Sequence, residues 1–230
     1  MMFSFAPIGV IHSPFKEKFG IPRQPDLAPH AVVTLELLPP YNQADCVRGL
    51  ESFSHLWITF VFHETSARGW QPLVRPPRLG GNAKVGVFAS RSTHRPNPLG
   101  LSLVRLAGID TSQGVCLTLL GTDLLDQTPV LDIKPYIPFV EAQPNARGGF
   151  AEAPPPTLEV CWSQQARQDL AALNTPPADL SQLIEEVLAQ DPRPAYQNTP
   201  ERIYGVRLYR YNVRFRIVGQ RAEVLEIRTA

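Results

Sequence analysis

The apolar runs in the first 140 residues are short, and proline or glycine interrupts nearly all of them, which points to many short elements. The chain carries 24 prolines in 230 residues, about twice the usual share. Many short strands joined by stiff loops are the expected outcome.

Six such runs read as strands: 8–11, 32–37, 56–62, 84–88, 101–106 and 115–120, all rich in β-branched or alternating apolar residues. VTLELL and VCLTLL alternate at period two, whereas LWITFVF is nearly continuous and is expected to be the most buried strand. YNQADCVRGLESF supplies one short helix between strands. Many short strands with turn signals favour a closed barrel over a helix-covered parallel sheet. The expected fold class is mainly β: a small closed N-terminal β-barrel over 1–140 with a smaller C-terminal α+β domain.

Residues 141–156, EAQPNARGGFAEAPPP, form the linker, since Pro, Gly and Ala there build little core. The pattern then changes over 157–230. QQARQDLAALN and DLSQLIEEVLAQ place apolar residues at helical spacing, with Asp179 as a candidate N-cap. RIYGVRLYRYNVRFRIV alternates at period two and is expected to turn at VGQR into AEVLEIRT, making a hairpin.

The apolar fraction of 43% supports a packed core, and a net charge of +1 leaves a nucleic-acid partner to local patches. Three cysteines, Cys46, Cys116 and Cys161, lie far apart and fit neither a disulfide framework nor a paired-cysteine metal site. No metal is expected. The N-terminal MMFSFAPIGVIHSPF lacks a basic region before a long apolar core, and no apolar run approaches membrane-spanning length. A cytoplasmic protein with no membrane partner is the expectation.

Two clusters carry the densest chemistry. ASRSTHRPNPLGLS, residues 89–102, places Arg91, Arg95, Ser92, Thr93 and Asn97 between a strand KVGVFA and a strand LSLVRL, with Pro96 and Pro98 stiffening the backbone. An ordinary stiff surface loop has the same composition. LDIKPY sets Asp132, Lys134 and Tyr136 at alternate positions, so in a strand all three face one side. Such a row is either a polar site or an ion-paired patch. Shorter signals are Arg23 and Gln24 in PRQP, His63 and Glu64 at the expected end of a strand in FHE, and Arg193 with Tyr196 in DPRPAY. The chain has no G-x-G-x-x-G after a strand, no G-K-[ST] loop, no H-E-x-x-H and no G-x-S-x-G, so any nucleotide or S-adenosylmethionine (SAM) site is not of the Rossmann kind.

KEKFGIPRQP, PYNQADCVRGLESFSHLWITFVFHE, RPPRLGGNAKVGVFASRSTHRPNPLGLS, DLLDQTPVLDIKPYIP and AQDPRPAY, in that order, resemble the TsaA/TrmO-like family of tRNA adenosine methyltransferases over nearly the whole chain. The resemblance implies a SAM-dependent enzyme on a small β-barrel. Its implied substrate is N6-threonylcarbamoyladenosine, the base 3′ of the anticodon in threonine tRNA. It also implies a homodimer with the cofactor near the subunit interface. By position the family's cofactor site maps onto Arg23, Gln24, His63, Glu64, Arg91, Leu101, Thr122, Asp123 and Leu124.

Residue chemistry then distributes roles. Asp132, Tyr136 and His63, in that order, are candidates to take the proton from the attacking nitrogen. Lys134 or Arg95 is a candidate to hold the threonyl carboxylate or a phosphate, and Asn97 to bond the carbamoyl group. Arg207, Tyr209, Tyr211 and Arg214 in the C-terminal strand, with Arg193 and Tyr196, are candidate RNA contacts, against a solvated outer face of a hairpin. Two rivals stand beside the methyltransferase: a non-catalytic SAM or nucleotide sensor, and a hydrolase using His63 with Ser90 or Ser92.

Overall fold

Period-two alternation in the N-terminal half produces six strands that close on themselves. The computed structural model describes residues 3–80, 82–194, 197 and 199–229. The strands are β1 (Gly9–His12), β2 (Val32–Leu37), β3 (His55–Val61), β4 (Leu73–Val74), β5 (Val85–Gly86), β6 (Leu99–Asp110), β7 (Cys116–Leu120), β8 (Pro129–Pro135), β9 (Glu159–Trp162), β10 (Ile203–Leu208), β11 (Tyr211–Val218) and β12 (Arg221–Thr229). The short helices are α1 (His63–Ser66), α2 (Pro138–Glu141), α3 (Gln164–Ala172) and α4 (Leu180–Ala189). A closed barrel runs β1-β2-β7-β6-β3-β8, and β4 and β5 form a separate two-stranded ribbon. The expected fold class, a small barrel with an α+β partner, is what the chain adopts.

Inside the barrel lie Ile11, Leu35, Leu56, Ile58, Phe60, Val104, Leu117, Leu119 and Val130, all buried. β3 does not read as its sequence suggests. LWITFVF is nearly continuous in apolar residues, yet Leu56, Ile58 and Phe60 are buried while Trp57, Thr59 and Val61 are only half-buried. One face of this strand lines the core, and the other belongs to the barrel's outer surface. Gly100 pairs with Phe60 across β6 and β3, and a Cβ at this position would overlap the Phe60 ring.

Several local expectations are corrected. KVGVFA is not a barrel strand: β5 covers only Val85–Gly86 and a 3-10 turn follows at Val87–Ala89. YNQADCVRGLESF makes two 3-10 turns, Ala44–Val47 and Leu50–Ser52, separated at Gly49, whose φ of 86° breaks the helical path. His63 and Glu64 open the helical turn α1 instead of ending a strand.

The chain divides into two compact units: Met1–His12, Thr34–Leu119 and Gln127–Pro154 form one, and Ser13–Val33, Leu120–Asp126 and Pro155–Ala230 the other. Two stretches of the N-terminal half therefore fold with the C-terminal residues. The second unit is a four-stranded sheet in the order β10-β11-β12-β9, with β9 parallel to β12. Leu183, Ile184, Val187 and Leu188 of α4 pack with Val206, Leu208, Val213, Phe215 and Val224 of the sheet, and Phe15, Ala28 and Ala31 join the same cluster. Ser163 caps α3 by accepting the Ala166 N–H at 3.0 Å. Asp179 stands at the N-cap position of α4 but makes no side-chain cap bond.

RIYGVRLYRYNVRFRIV is two strands, not one. β10 and β11 pair antiparallel and turn at Tyr209–Arg210, where Tyr209 takes a φ of 54°. A tyrosine in the left-handed region is uncommon, which is why this turn carries no sequence signal.

Candidate active site

Across β6, β3 and β8 the register sets up rows of outward side chains, because directly paired residues in antiparallel strands project to the same side. Thr59 pairs with Leu101 on one side and Asp132 on the other. Trp57 pairs with Leu103 and Lys134 in the next row. Beyond it, His55 pairs with Arg105, and its carbonyl accepts the Tyr136 N–H at 2.9 Å. Asp132, Lys134 and Tyr136 thus follow one another along one edge of a shared face, and the Lys134 ammonium donates to Asp132 at 2.7 Å. The Tyr136 ring meets Trp57 edge-on at 6.1 Å and His55 at 6.4 Å. Trp57 Nε1 donates to Glu141, tying α2 to this face.

Leu101, expected at the cofactor, and Asp132, expected to handle a proton, therefore flank the same threonine. Leu101 is 57% exposed, a large apolar side chain left open on a sheet face. Thr59 and Trp57 escape sequence reading because LWITFVF looks uniformly buried, and His55 because it stands just before that run.

The loop before β6 is held from within. Arg95 Nη1 donates to the Ser90 carbonyl at 2.8 Å and to the Val87 carbonyl at 3.3 Å, and its guanidinium lies 5.8 Å from the centre of the Phe88 ring. This cation fixes the loop, so part of its capacity to bind substrate is already engaged. The Ser90 hydroxyl donates to Val87 O at 2.9 Å, and Ser92 Oγ accepts the His94 N–H at 3.2 Å. Both hydroxyls serve backbone turns, which leaves the hydrolase reading without an activated serine. Asn97 and Arg91 are exposed in this loop, and His63 is half-buried in α1 beside the exposed Glu64.

In the second unit, two distant segments expected at the cofactor meet. The Asp26 N–H donates to the Gly121 carbonyl at 2.6 Å, and the Gly121 N–H to the Ala31 carbonyl at 3.2 Å. Arg23 and Gln24 lie just before Asp26, and Thr122, Asp123 and Leu124 just after Gly121. Arg23 is exposed and Asp123 half-exposed. Leu124 is fully buried, so its side chain belongs to the core and this position offers a ligand its backbone alone. Thr122 is also fully buried, and its hydroxyl has no hydrogen-bond partner among the described residues.

Of the expected RNA contacts, Tyr211 is a core residue at 1% exposure. Tyr209 packs against the same core, and burial first, then the charge of Asp179, pushes its phenol pKa up. Arg214 is paired with Glu226 at 2.5 Å and Arg216 with Glu223 at 2.6 Å across β11 and β12. Arg207 is exposed on the outer face of β10, opposite Asn212; the Glu17 carboxylate accepts its backbone N–H at 3.0 Å, and its guanidinium makes no ion pair among the described residues. Arg193 is clamped by Asp191, and Tyr196 lies outside the described residues. No group of three or more His, Cys, Asp or Glu side chains suited to a metal ion occurs among the described residues, and none of their helices is long and apolar enough to cross a membrane.

A six-stranded closed barrel with a carboxylate–ammonium–phenol row on its outer face, followed by a small α+β unit, defines a class of barrel protein distinct from the doubly wound nucleotide-binding folds. The tRNA-methyltransferase O N-terminal domain model matches residues 10–142, and the TrmO C-terminal domain model matches 155–230. The chain belongs to the tRNA-methyltransferase O family. It is 52% identical to the tRNA (adenine(37)-N6)-methyltransferase of Escherichia coli over 98% of this chain and 97% of that one. It is also 54% identical to a putative S-adenosylmethionine-dependent methyltransferase of Pseudomonas aeruginosa, over 93% of this chain and 92% of that protein. A crystal structure of TrmO from Pseudomonas aeruginosa superposes with a TM-score of 0.82 at 44% identity, covering 99% of both chains.

Proposed function

We propose that this protein transfers a methyl group from SAM to N6 of adenosine 37 in tRNA, and that its substrate is the threonylcarbamoylated adenosine of threonine tRNA. Family membership carries the SAM-dependent tRNA methyltransferase reading. The finer substrate rests on the resemblance together with the Asp132–Lys134–Tyr136 row beside Leu101 and Thr59.

The residues present suit the cofactor. In the second unit Arg23 and Gln24 are donors suited to a carboxylate and Asp123 is an acceptor suited to ribose hydroxyls; in the barrel unit Arg91 and Glu64 have the same two capacities, and exposed Leu101 is an apolar surface for adenine. Thr122 brings a buried hydroxyl with an unmet hydrogen bond beside Asp123. When bound, SAM supplies an electrophilic methyl whose bond to sulfur breaks, the electron pair staying on sulfur, as a bond to nitrogen forms.

The ureido nitrogen is a poor nucleophile because its lone pair is delocalised into the purine and the carbonyl. Asp132 takes the N6 proton as attack proceeds, a contribution of about a hundred- to ten-thousand-fold. Lys134, hydrogen-bonded to Asp132 at 2.7 Å, also attracts the threonyl carboxylate of the substrate. Tyr136, packed on Trp57 and His55, orients the ureido group, and Asn97 bonds its carbonyl. Arg207 contacts RNA phosphate. The protein acts as a cytoplasmic homodimer; for the dimer, the barrel unit offers the exposed apolar side chains Phe88, Leu101, Phe139 and Val140 as surface for a second copy. Sedimentation of the wild type against Phe139→Asp tests this, with a dimer expected for the first and a shift towards monomer for the second.

The substrate reading is tested with labelled SAM and threonine tRNA prepared with and without the threonylcarbamoyl group. Label is expected only in the modified tRNA. Equal labelling of both would overturn the substrate, and SAM binding with no labelling of either would favour a sensor.

A further inference from the structure

The net charge of +1 hides a strong polarity along the chain. Between Glu64 and Asp110 stand seven of the 22 lysines and arginines and no Asp or Glu, while the rest of the chain holds all 21 acidic residues against the other 15 basic ones. A surface shaped for solubility alone mixes both signs, so a one-sign stretch of this length points to an anionic partner.

Most of this stretch folds as an arm on the barrel unit. Its two ends are pinned together where β3 ends and β6 begins: Val61 pairs with Leu99, and the Phe62 N–H donates to the Pro98 carbonyl at 2.7 Å. Between them β4 pairs with β5, and the Val87 N–H donates to the Pro72 carbonyl at 3.0 Å. Arg75 leaves β4 directly after Val74, and Lys84 enters β5 directly before Val85. Because Val74 and Val85 are paired, these two cations stand side by side at the end of the ribbon. Arg78 follows in the 3-10 turn Pro77–Leu79, stiffened by Pro76 and Pro77. All three are exposed, and none makes an ion pair among the described residues. Like charges placed opposite each other repel, and a bound anion relieves that repulsion. Trp70, 55% exposed, and Phe88, 76% exposed, add aromatic surface to the same arm.

We propose that Arg75, Arg78 and Lys84 grip backbone phosphates of the tRNA anticodon stem-loop, and that the arm so seats the RNA beside the barrel face carrying Leu101, Thr59 and Asp132. The inference rests on the tRNA substrate of the proposed function. Leu101 lies two residues into β6 from the root of the arm at Leu99, about 7 Å along the strand. The arm therefore rises beside that face, and the RNA segment it meets is the one that holds the target base. A grip on phosphate positions the RNA and carries no sequence information, so modified and unmodified tRNA are held alike. Cations among exposed aromatic rings also suit an anionic bilayer. Membrane-surface elements of that kind are amphipathic helices, however, and this arm is a short ribbon with tight turns.

The test compares the full-length wild type with the triple variant Arg75→Gln, Arg78→Gln, Lys84→Gln. The control is Arg48→Gln, at an exposed cation of the same unit already paired with Asp45. Binding of an anticodon stem-loop RNA from threonine tRNA is measured across a range of salt, together with SAM binding and steady-state methyl transfer to the tRNA. In the triple variant the log–log salt slope of RNA binding is expected to fall in magnitude by roughly two. Its KM for tRNA is expected to rise at least about tenfold, with kcat within about twofold and SAM binding unchanged. The control should behave as wild type. If the triple variant fails to fold, the three single variants decide, each expected to lower the slope by somewhat under one. An unchanged slope would overturn the proposal, and so would an equal effect of Arg48→Gln. A loss of SAM binding in the folded variant would overturn it by moving these cations to the cofactor. Wild-type binding to phosphatidylserine vesicles that the triple variant loses while its RNA slope holds would overturn it in favour of a membrane. Failure of the wild type itself to bind or methylate tRNA would instead overturn the proposed function.

Discussion

Lys134 donates a 2.7 Å hydrogen bond to Asp132, two positions back along the same outward face of one barrel strand. The contact holds the carboxylate in a set direction on that face, as a positioned proton acceptor requires. Asp132→Asn keeps the shape and removes the base. Its kcat is expected to fall at least about a hundredfold while SAM affinity stays at the wild-type level. Turnover within twofold of wild type would take Asp132 out of the proton-handling role.

Gly100 has no room for a side chain. A methyl group there would collide with the Phe60 ring in the barrel interior, and Phe60 is itself locked edge-on against Phe62 at 5.1 Å. Gly100→Ala is expected to destabilise the protein by about 1–3 kcal/mol, read from its denaturant midpoint. Gly86, around which nothing lies within 4 Å, is the control, and Gly86→Ala is expected to change the midpoint far less. Equal effects at the two sites would contradict the packing described here.

Asp191 makes an acid-sensitive contribution to stability. Burial raises its pKa, but the hydrogen bonds and charge of Arg193, with help from Arg23, outweigh that and hold the carboxyl below its usual value. A group with a depressed folded pKa stabilises the fold above its unfolded pKa of about 4 and loses that contribution as pH falls through the folded value. Asp191→Asn should therefore lower the unfolding midpoint near neutrality and converge with wild type in strong acid. A constant difference between the two profiles across the acid range would show that the pair is not the source.

Arg207 and Arg214 are predicted to separate in their effects on RNA. Arg214 is held by Glu226, whereas Arg207 faces solvent opposite Asn212. Arg207→Glu is expected to weaken tRNA binding by roughly three- to tenfold without touching SAM binding. Arg214→Gln should cost much less, since its charge is already engaged. A larger loss at Arg214 than at Arg207 would reverse the assignment.

Much of this architecture was legible because alternation is a local signal. VTLELL and VCLTLL became β2 and β7, and the spacing of Asp132, Lys134 and Tyr136 gave their common face directly. The outer face of β3 was hidden because Trp57, Thr59 and Val61 interleave with core residues of similar hydropathy. The turn at Tyr209–Arg210 was hidden because it uses neither Gly nor Asn, and with it went the burial of Tyr211. Long in range, too, is the meeting of Asp26 with Gly121. It depends on two loops that fold with the C-terminal sheet, and no local pattern encodes such a pairing.

Mass spectrometry of nucleosides from threonine tRNA incubated with the protein and SAM addresses the central claim most directly. A methyl-sized mass gain on the threonylcarbamoyl adenosine, absent when SAM is left out and lost in Asp132→Asn, is the predicted result. A fully threonylcarbamoylated tRNA that gains no methyl group while the protein demonstrably binds SAM would contradict it.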